Sequence, residues 1–334
     1  MQLGVAFERE IFEQPDVWER VARSNAASAL AAALAGDVVL VGSGSSFFAA
    51  QAGALALRRR GVVANAVAAT EVAADHRAYE GRTVVAISQS GRSSDLLGAL
   101  ALLRAARIVA LTNTVESPLS ARAEVTIDVG AGPELAIPAT KSITATLAIL
   151  LGAASLLAGG AERGAAALTA VAKSARAWLS DGAATLREPA SAIAHALAVV
   201  ILGTDYGVPV AREGALKFKE AAYVRAEGFA AGEFRHGSSA MLDANAFGIG
   251  LVDRDGAAAV GAALDAVADR GAARLAIGAV ALAGVARAGP IVDDAYDALA
   301  WLLTLQLLAL YAARECGVDS DAPRGLTKSI DSPP

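Results

Sequence analysis

Ser88-Gln89-Ser90-Gly91-Arg92-Ser93-Ser94 is the stretch on which the fold turns. It follows an apolar, β-branched run from Thr83 to Ile87 and precedes the helical spacing of Leu96, Leu97, Leu100 and Leu103. The segment therefore reads as a strand, a hydroxyl-rich turn and a helix start. A helix start leaves backbone N–H groups unpaired and carries the positive end of the helix dipole, so it favours an anion. The four serines add neutral donors that can wrap a phosphate without a counter-charge. Asp95 falls in the first turn, where a carboxylate suits the dipole. An ordinary serine-capped turn has the same composition, and the rest of the chain separates the two readings.

The 334 residues fit about two domains. A hydrophobic content of 55% and a mean hydropathy of +0.46 imply a large core, much of it Ala-rich helix packing. The net charge of −5 and pI near 5.4 leave no basic footprint for nucleic acid. An acidic protein that binds an anion must use local donors, which suits the serine turn. The single Cys316 excludes intrachain disulfides and a cysteine zinc site, and fits a reducing cytoplasm. Glu8, Arg9, Glu10 and Glu13 stand where a signal peptide has its apolar core, so no leader is expected. Ser142 to Ala161 carries no charge, but its Leu and Ile are diluted by Ala, Gly, Ser and Thr, and it lacks aromatic belts and a basic flank. It reads as a buried helix of a large α/β domain, with no membrane partner expected.

The chain also repeats itself. Val38-Val39-Leu40-Val41-Gly42 is matched by Val199-Val200-Ile201-Leu202-Gly203, and Gly53-Ala54-Leu55 by Gly214-Ala215-Leu216, both at an offset of 161 residues. Two copies of one strand–loop–helix design follow, with the continuous apolar strands of buried parallel sheets and a connection over Trp178 to Pro189. The copies differ where the first has its serine turn. There the second has Phe247 to Val252 followed by Asp253-Arg254-Asp255-Gly256, whose carboxylates would repel phosphate. Gly42-Ser43-Gly44-Ser45-Ser46-Phe47 begins like a dinucleotide fingerprint, but Phe47 takes the third glycine position and Thr70-Glu71 is the nearest later acid. A second hydroxyl-bearing turn explains Ser45 and Ser46 at least as well. In a doubly wound sheet both turns lie at the carboxyl ends of their strands, where ligands bind.

The second half supplies different chemistry. Pro209 sits in the first turn of a helix on which Glu213, Lys217 and Glu220 share one face and Val210, Gly214, Phe218 and Ala221 another. Such spacing also describes a salt-bridged solvent face. Ala230 to Gly237 reads as a loop, with glycines bracketing Glu233 and His236. Of the three histidines, His76 and His195 lie in helical or linker contexts, which leaves His236 as the acid/base imidazole. No His spacing suggests a metal.

Taken in order, Glu10-Ile11-Phe12-Glu13-Gln14-Pro15, Gly44-Ser45-Ser46, Ser88-Gln89-Ser90-Gly91, Glu134 through Thr140-Lys141, Glu213 through Glu220, Ala230 to Gly237 and Pro323 through Ser329 run nearly end to end. On these residues the chain resembles double sugar-isomerase (SIS) domain proteins. It is similar to the isomerase half of glucosamine-6-phosphate synthase and closer still to stand-alone glucosamine-6-phosphate deaminases. The resemblance implies an α/β fold of two tandem SIS domains, residues 1–180 and 181–316, with 317–334 as a tail over the active site. Each domain would be a mostly parallel five-stranded sheet flanked by helices, flavodoxin-like and doubly wound.

The resemblance also implies roles. Ser45, Ser46, Ser88, Gln89, Ser90 and Ser93 would hold the 6-phosphate and neighbouring hydroxyls of a hexose 6-phosphate, with Ile137 and Ala139 also at the substrate. Glu220 would move a proton between C1 and C2. His236 would assist ring opening and, in a homodimer, reach the neighbouring subunit's site. Lys328 would approach the open-chain carbonyl, where the synthase forms a Schiff base. Lys217, one turn from Glu220, would bias its protonation or contact substrate. Glu134 and Lys141 read as structural, or as reaching substrate through backbone. Aldose–ketose interconversion needs an opened ring, one base and a fixed phosphate, so no cofactor and no metal are expected. A lysine nucleophile must be partly desolvated, which requires the tail to fold over the site.

Departures shape the expected reaction. The chain opens Met1-Gln2-Leu3, without the Cys nucleophile of a glutaminase, so the expected direction is release of ammonia from glucosamine 6-phosphate to give fructose 6-phosphate. Arg92 stands where the synthase has an acid, Ala139 where it has Ser and Thr327 where it has Ala. The alternatives are another amino sugar phosphate (galactosamine 6-phosphate, or a fructosamine 6-phosphate to deglycate), a synthase-like isomerase without its glutaminase, and a sensor that binds sugar phosphate without turnover. A sensor has no need of Glu220, His236 and Lys328 together, and the residues before Val38 are too few for a DNA-binding module.

Overall fold

The structure, a computed structural model, describes residues 3–159, 161–292 and 296–328. Met1, Gln2 and the end of the expected tail from Ser329 lie outside the described residues. The first half of the chain forms α1 (Val5–Phe12), α2 (Gln14–Arg23), α3 (Ala26–Ala33), β1 (Val38–Gly42), α4 (Ser45–Arg58), β2 (Ala64–Ala68), α5 (Val72–Asp75), β3 (Thr83–Ser88), α6 (Ser94–Leu102), β4 (Arg107–Thr112), β5 (Val125–Asp128) and α7 (Lys141–Leu157). The second forms α8 (Ala161–Asp181), α9 (Arg187–His195), β6 (Ala198–Gly203), α10 (Gly207–Ala222), β7 (Ala226–Ala230), α11 (Ala231–Phe234), β8 (Ala246–Val252), α12 (Ala257–Ala268), β9 (Ala273–Gly278), β10 (Ala286–Ala288) and α13 (Asp297–Glu315).

Two five-stranded sheets result, β2-β1-β3-β4-β5 and β10-β9-β8-β6-β7, and every pairing is parallel. They are one topology used twice, as the repeat and the expected doubly wound α/β fold require. The central strands β1, β3, β6 and β8 are buried almost throughout, because helices cover both faces of a parallel sheet. The uncharged run after Lys141 is α7, buried from Lys141 to Ala154. No helix among the described residues is long and apolar enough to cross a membrane.

The repeated glycines have packing reasons. A Cβ on Gly42 would lie 2.7 Å from the Ser46 backbone, and one on Gly203 would lie 2.6 Å from the Gly207 backbone, so each permits a tight strand-to-helix turn. Gly53 and Gly214 let α4 and α10 lie close against Leu150 of α7 and Leu305 of α13.

The two compact units are discontinuous in sequence. Asp16–Glu134 and Lys141–Thr169, with the tail from Thr327, gather round the first sheet. The residues up to Pro15, Leu135–Thr140 and Ala170–Leu326 gather round the second. The connection expected over Trp178 to Pro189 is not an open linker. The α8 helix runs on to Asp181 and a 3-10 turn (Ala183–Leu186) leads directly into α9, since Leu179, Ala183 and Leu186 are buried.

Candidate active site

In the first-sheet unit, β1 and β3 are neighbours, with Val41 beside Ala86. The chain leaves them toward opposite edges of the sheet, so the turns after β1 and β3 flank the topological switch point. The β1 turn opens α4 at Ser45 and Ser46. The β3 turn opens α6, with Ser93 as its N-cap and Asp95 in its first turn. Gly91 has φ 63°, and a Cβ there would meet Ser117 Oγ at 2.1 Å, so the turn closes only with glycine. The next loop pins it: the Gln89 carbonyl accepts from Asn113 N–H (3.1 Å), and the Gly91 carbonyl accepts from Leu119 N–H (3.1 Å). Ser88 Oγ accepts from Gly91 N–H (3.1 Å) and Ser90 Oγ from Arg92 N–H (3.2 Å). Each hydroxyl so oriented keeps its own proton to donate. The Ser93 side chain makes no capping bond to α6. Ser43 Oγ, at the end of β1, is buried without a hydrogen-bond partner among the described residues, a hydroxyl that sequence reasoning passed over.

The same unit holds Lys328. Its Nζ lies 2.8 Å from Glu134 Oε2, whose side chain is fully covered. Glu134 also accepts from the N–H (3.0 Å) and the Oγ (2.8 Å) of Ser142 at the start of α7. Sequence reasoning set Glu134 aside as structural. Its place in the matched stretch with Lys141 was a signal, but spacing alone does not pair it with the chain terminus.

In the second-sheet unit, α10 overturns the solvent-face alternative. The Lys217 and Glu213 side chains are buried, while that of Glu220 is 22% exposed. Lys217 Nζ lies 2.6 Å from Glu220 Oε2 and 3.3 Å from Glu213 Oε1. The trio is buried because α10 packs along α13, whose residues from Asp297 to Ala313 are all buried. Burial by itself would lower the Lys217 ammonium, but the carboxylates of Glu213 and Glu220 outweigh it and hold the group above its ordinary value. Lys217 therefore stays charged between the two carboxylates. Taking the Lys217 and Glu213 charges out of water costs several kcal/mol per ion before their pairing offsets it.

His236 follows α11, a short helix where a loop was expected because Ala231 and Phe234 turn into the core. Its ring is exposed, and among the described residues no hydrogen bond or ion pair joins it to the α10 trio. Ile137 and Ala139 lie half-buried on the 135–140 loop. Buried Glu10 accepts from the N–H groups of Leu135 and Ala136, and the Asp321 carbonyl accepts from Ile137 N–H (3.3 Å). The Asp321 carboxylate caps α1 through the N–H groups of Ala6 (2.9 Å) and Phe7 (2.7 Å). Tyr223 ends α10 in the left-handed region at φ 56°. Its hydroxyl accepts from Arg324 N–H (2.6 Å), and the Arg324 guanidinium lies 4.3 Å from its ring centre. Among the described residues no group of three or more His, Cys, Asp or Glu side chains is placed to hold a metal ion.

Known proteins match this arrangement. Residues 33–156 and 192–313 each match the SIS domain. The glutamine–fructose-6-phosphate aminotransferase [isomerizing] of Pyrobaculum aerophilum is 32% identical over 96% of this chain and 56% of its own length. The chain thus spans about half the length of the curated relatives it matches. Among solved structures, the C-terminal domain of glucosamine-fructose-6-phosphate aminotransferase from Francisella tularensis superposes with TM-score 0.84 at 23% identity, covering 95% of this chain and 98% of that one. Glucosamine-6-phosphate deaminase from Thermotoga maritima superposes with TM-score 0.83 at 22% identity, covering 98% and 100%. At those identities the structures speak for the fold.

Proposed function

The chain belongs to the SIS-domain family, with two copies of the domain and homology to the isomerase half of the aminotransferase, and from that premise we propose that it is a deaminase/isomerase of hexosamine 6-phosphates. The reaction is glucosamine 6-phosphate plus water to fructose 6-phosphate plus ammonia. The observation that carries the reading is the buried Glu213–Lys217 pair, with Lys217 2.6 Å from the partly exposed carboxylate of Glu220. A base of this kind can take the C2 proton of an opened 2-amino aldose and return it to C1, leaving an imine at C2. Ser45, Ser46, Ser88, Gln89, Ser90 and Ser93 hold the phosphate, in a turn where Arg92 replaces the acid of the synthase. Ile137 and Ala139 border the sugar. Lys328 adds to C2 and displaces ammonia, and water then frees the ketose. His236, exposed on its own unit, assists ring opening in the partner subunit of a homodimer.

The test is ammonia release from glucosamine 6-phosphate without glutamine, with fructose 6-phosphate followed by a coupled assay. Equal amounts of both products are expected. If no ammonia forms but fructose 6-phosphate still stabilises the protein to heat, the reading gives way to a sensor. Galactosamine 6-phosphate belongs in the same assay, because Ala139 stands where the synthase has a serine hydroxyl to offer the substrate.

A further inference from the structure

We propose that Glu134 is the proton acceptor for Lys328 and fixes its amine for imine formation, an inference that rests on reading Lys328 as the amine that meets the open-chain carbonyl. The Glu134 carboxylate is anchored independently of the lysine. Ser142 donates to it from both backbone and side chain, at the start of the 17-residue α7, where the positive end of the helix dipole favours an anion. Lys328 Nζ reaches the second oxygen at 2.8 Å with its side chain 27% exposed. A buried carboxylate thus faces the amine of a partly exposed side chain, within the distance at which a proton passes along a hydrogen bond.

The chemistry balances. The Lys328 ammonium gives one proton to Glu134, and its lone pair adds to the ketose C2 carbonyl carbon as the C=O π bond breaks toward oxygen. A second proton passes from nitrogen to that oxygen, forming a carbinolamine. Glu134 returns its proton to the hydroxyl, the C–O bond breaks, water leaves and the protonated imine remains. Glu134 ends as the carboxylate it began as, so it can act in reverse when water releases the product.

The experiment is borohydride trapping of the full-length protein with fructose 6-phosphate, followed by peptide mass mapping. Wild type should acquire one reduced hexitol phosphate on Lys328. Glu134→Gln should slow trapping about a hundredfold, the scale of a lost acid–base group, while fructose 6-phosphate still raises the melting temperature as in wild type. Glu134→Asp, which keeps the charge but withdraws it by one methylene, should fall between the two, and it carries the test if Glu134→Gln fails to fold. Wild-type trapping rates in either folded variant would overturn the role of Glu134 alone. Absence of any adduct on wild-type Lys328 would overturn the lysine reading and this inference with it.

Discussion

The two halves of the chain share a sheet, a turn glycine and a packing glycine, yet they carry opposite chemistry on that frame. After β3 the first half presents Ser88, Ser90 and Ser93, hydroxyls without charge. After the corresponding β8 the second presents Asp253, whose carboxylate already accepts from Gly256 N–H at 2.5 Å at the head of α12. An anion is invited in one copy and supplied by the protein in the other. The helices invert the assignment. Along α4 the positions facing the core are Ala52 and Ala56, and at the same repeat offset α10 buries Glu213 and Lys217. The repeat kept the backbone while the side chains diverged, with uncharged hydroxyls at the turn of one copy and a charged trio on the helix of the other.

The largest effect should come from the charged helix. Glu220→Gln should lower kcat by about 10²–10⁴-fold with KM little changed, since the proposed role of Glu220 is proton transfer and not phosphate binding. Lys217→Met should instead damage the fold. It leaves two carboxylates without their cation, which costs about 3–5 kcal/mol, read as a drop in melting temperature. Because the folded Lys217 sits above its ordinary value, its stabilisation is fully present below the unfolded value and is lost only as pH rises through the folded one. Lys217 should therefore add no pH dependence to the melting temperature across the neutral range.

His236 tests whether the second copy also works between subunits. Glu220→Gln and His236→Ala should each be inactive alone. Mixed and reassembled, they should recover about a quarter of wild-type activity, since half the dimers would be mixed and each would hold one complete site. No recovery would place His236 in its own subunit's chemistry or outside it.

The serine turn separates capping from binding. Aspartate is among the best N-cap residues, so Ser93→Asp should leave the melting temperature unchanged or higher. It also puts at the head of α6 the carboxylate that the other copy carries in Asp253. KM for a hexosamine 6-phosphate should rise about a hundredfold, near 2.8 kcal/mol, with a smaller change in kcat. An unchanged KM would return the turn to an ordinary cap.

These contrasts were unevenly legible in the sequence. Strands buried on both faces must be apolar throughout, so Val38–Gly42 and its partner declared themselves, and the offset of Gly53 and Gly214 marked the repeat before any contact was known. The i, i+4, i+7 spacing of Glu213, Lys217 and Glu220 fixes that they share a face but not whether the face meets water. That depends on α13, about ninety residues on. The pairing of Glu134 with Lys328, and the assignment of residues 135–140 to the second-sheet unit, rest on contacts of long sequence separation such as Glu10 with the N–H groups of Leu135 and Ala136. No local pattern encodes them.

The smallest effect is the most exacting, because the two copies should differ in sign at the same repeat position. Replacing glycine by alanine inside a helix gains about 1 kcal/mol from the backbone alone. At Gly53 the new Cβ would meet the methyl ends of Leu150 and Leu40 at 3.0–3.1 Å, which a small side-chain shift relieves. Gly53→Ala should therefore melt at or slightly above wild type. At Gly214 the Cβ would lie 2.4 Å from Leu305 Cδ1, with Leu305 Cγ and Cβ behind it at 3.2 and 3.3 Å, an overlap that needs a far larger shift than the 3.0–3.1 Å contacts at Gly53. Overpacking of that kind costs about 1–3 kcal/mol, so Gly214→Ala should melt lower. It should also reduce kcat, since moving α10 off α13 displaces Lys217 and Glu220 together. Equal shifts in the two variants would mean that close approach is not what keeps glycine at either position.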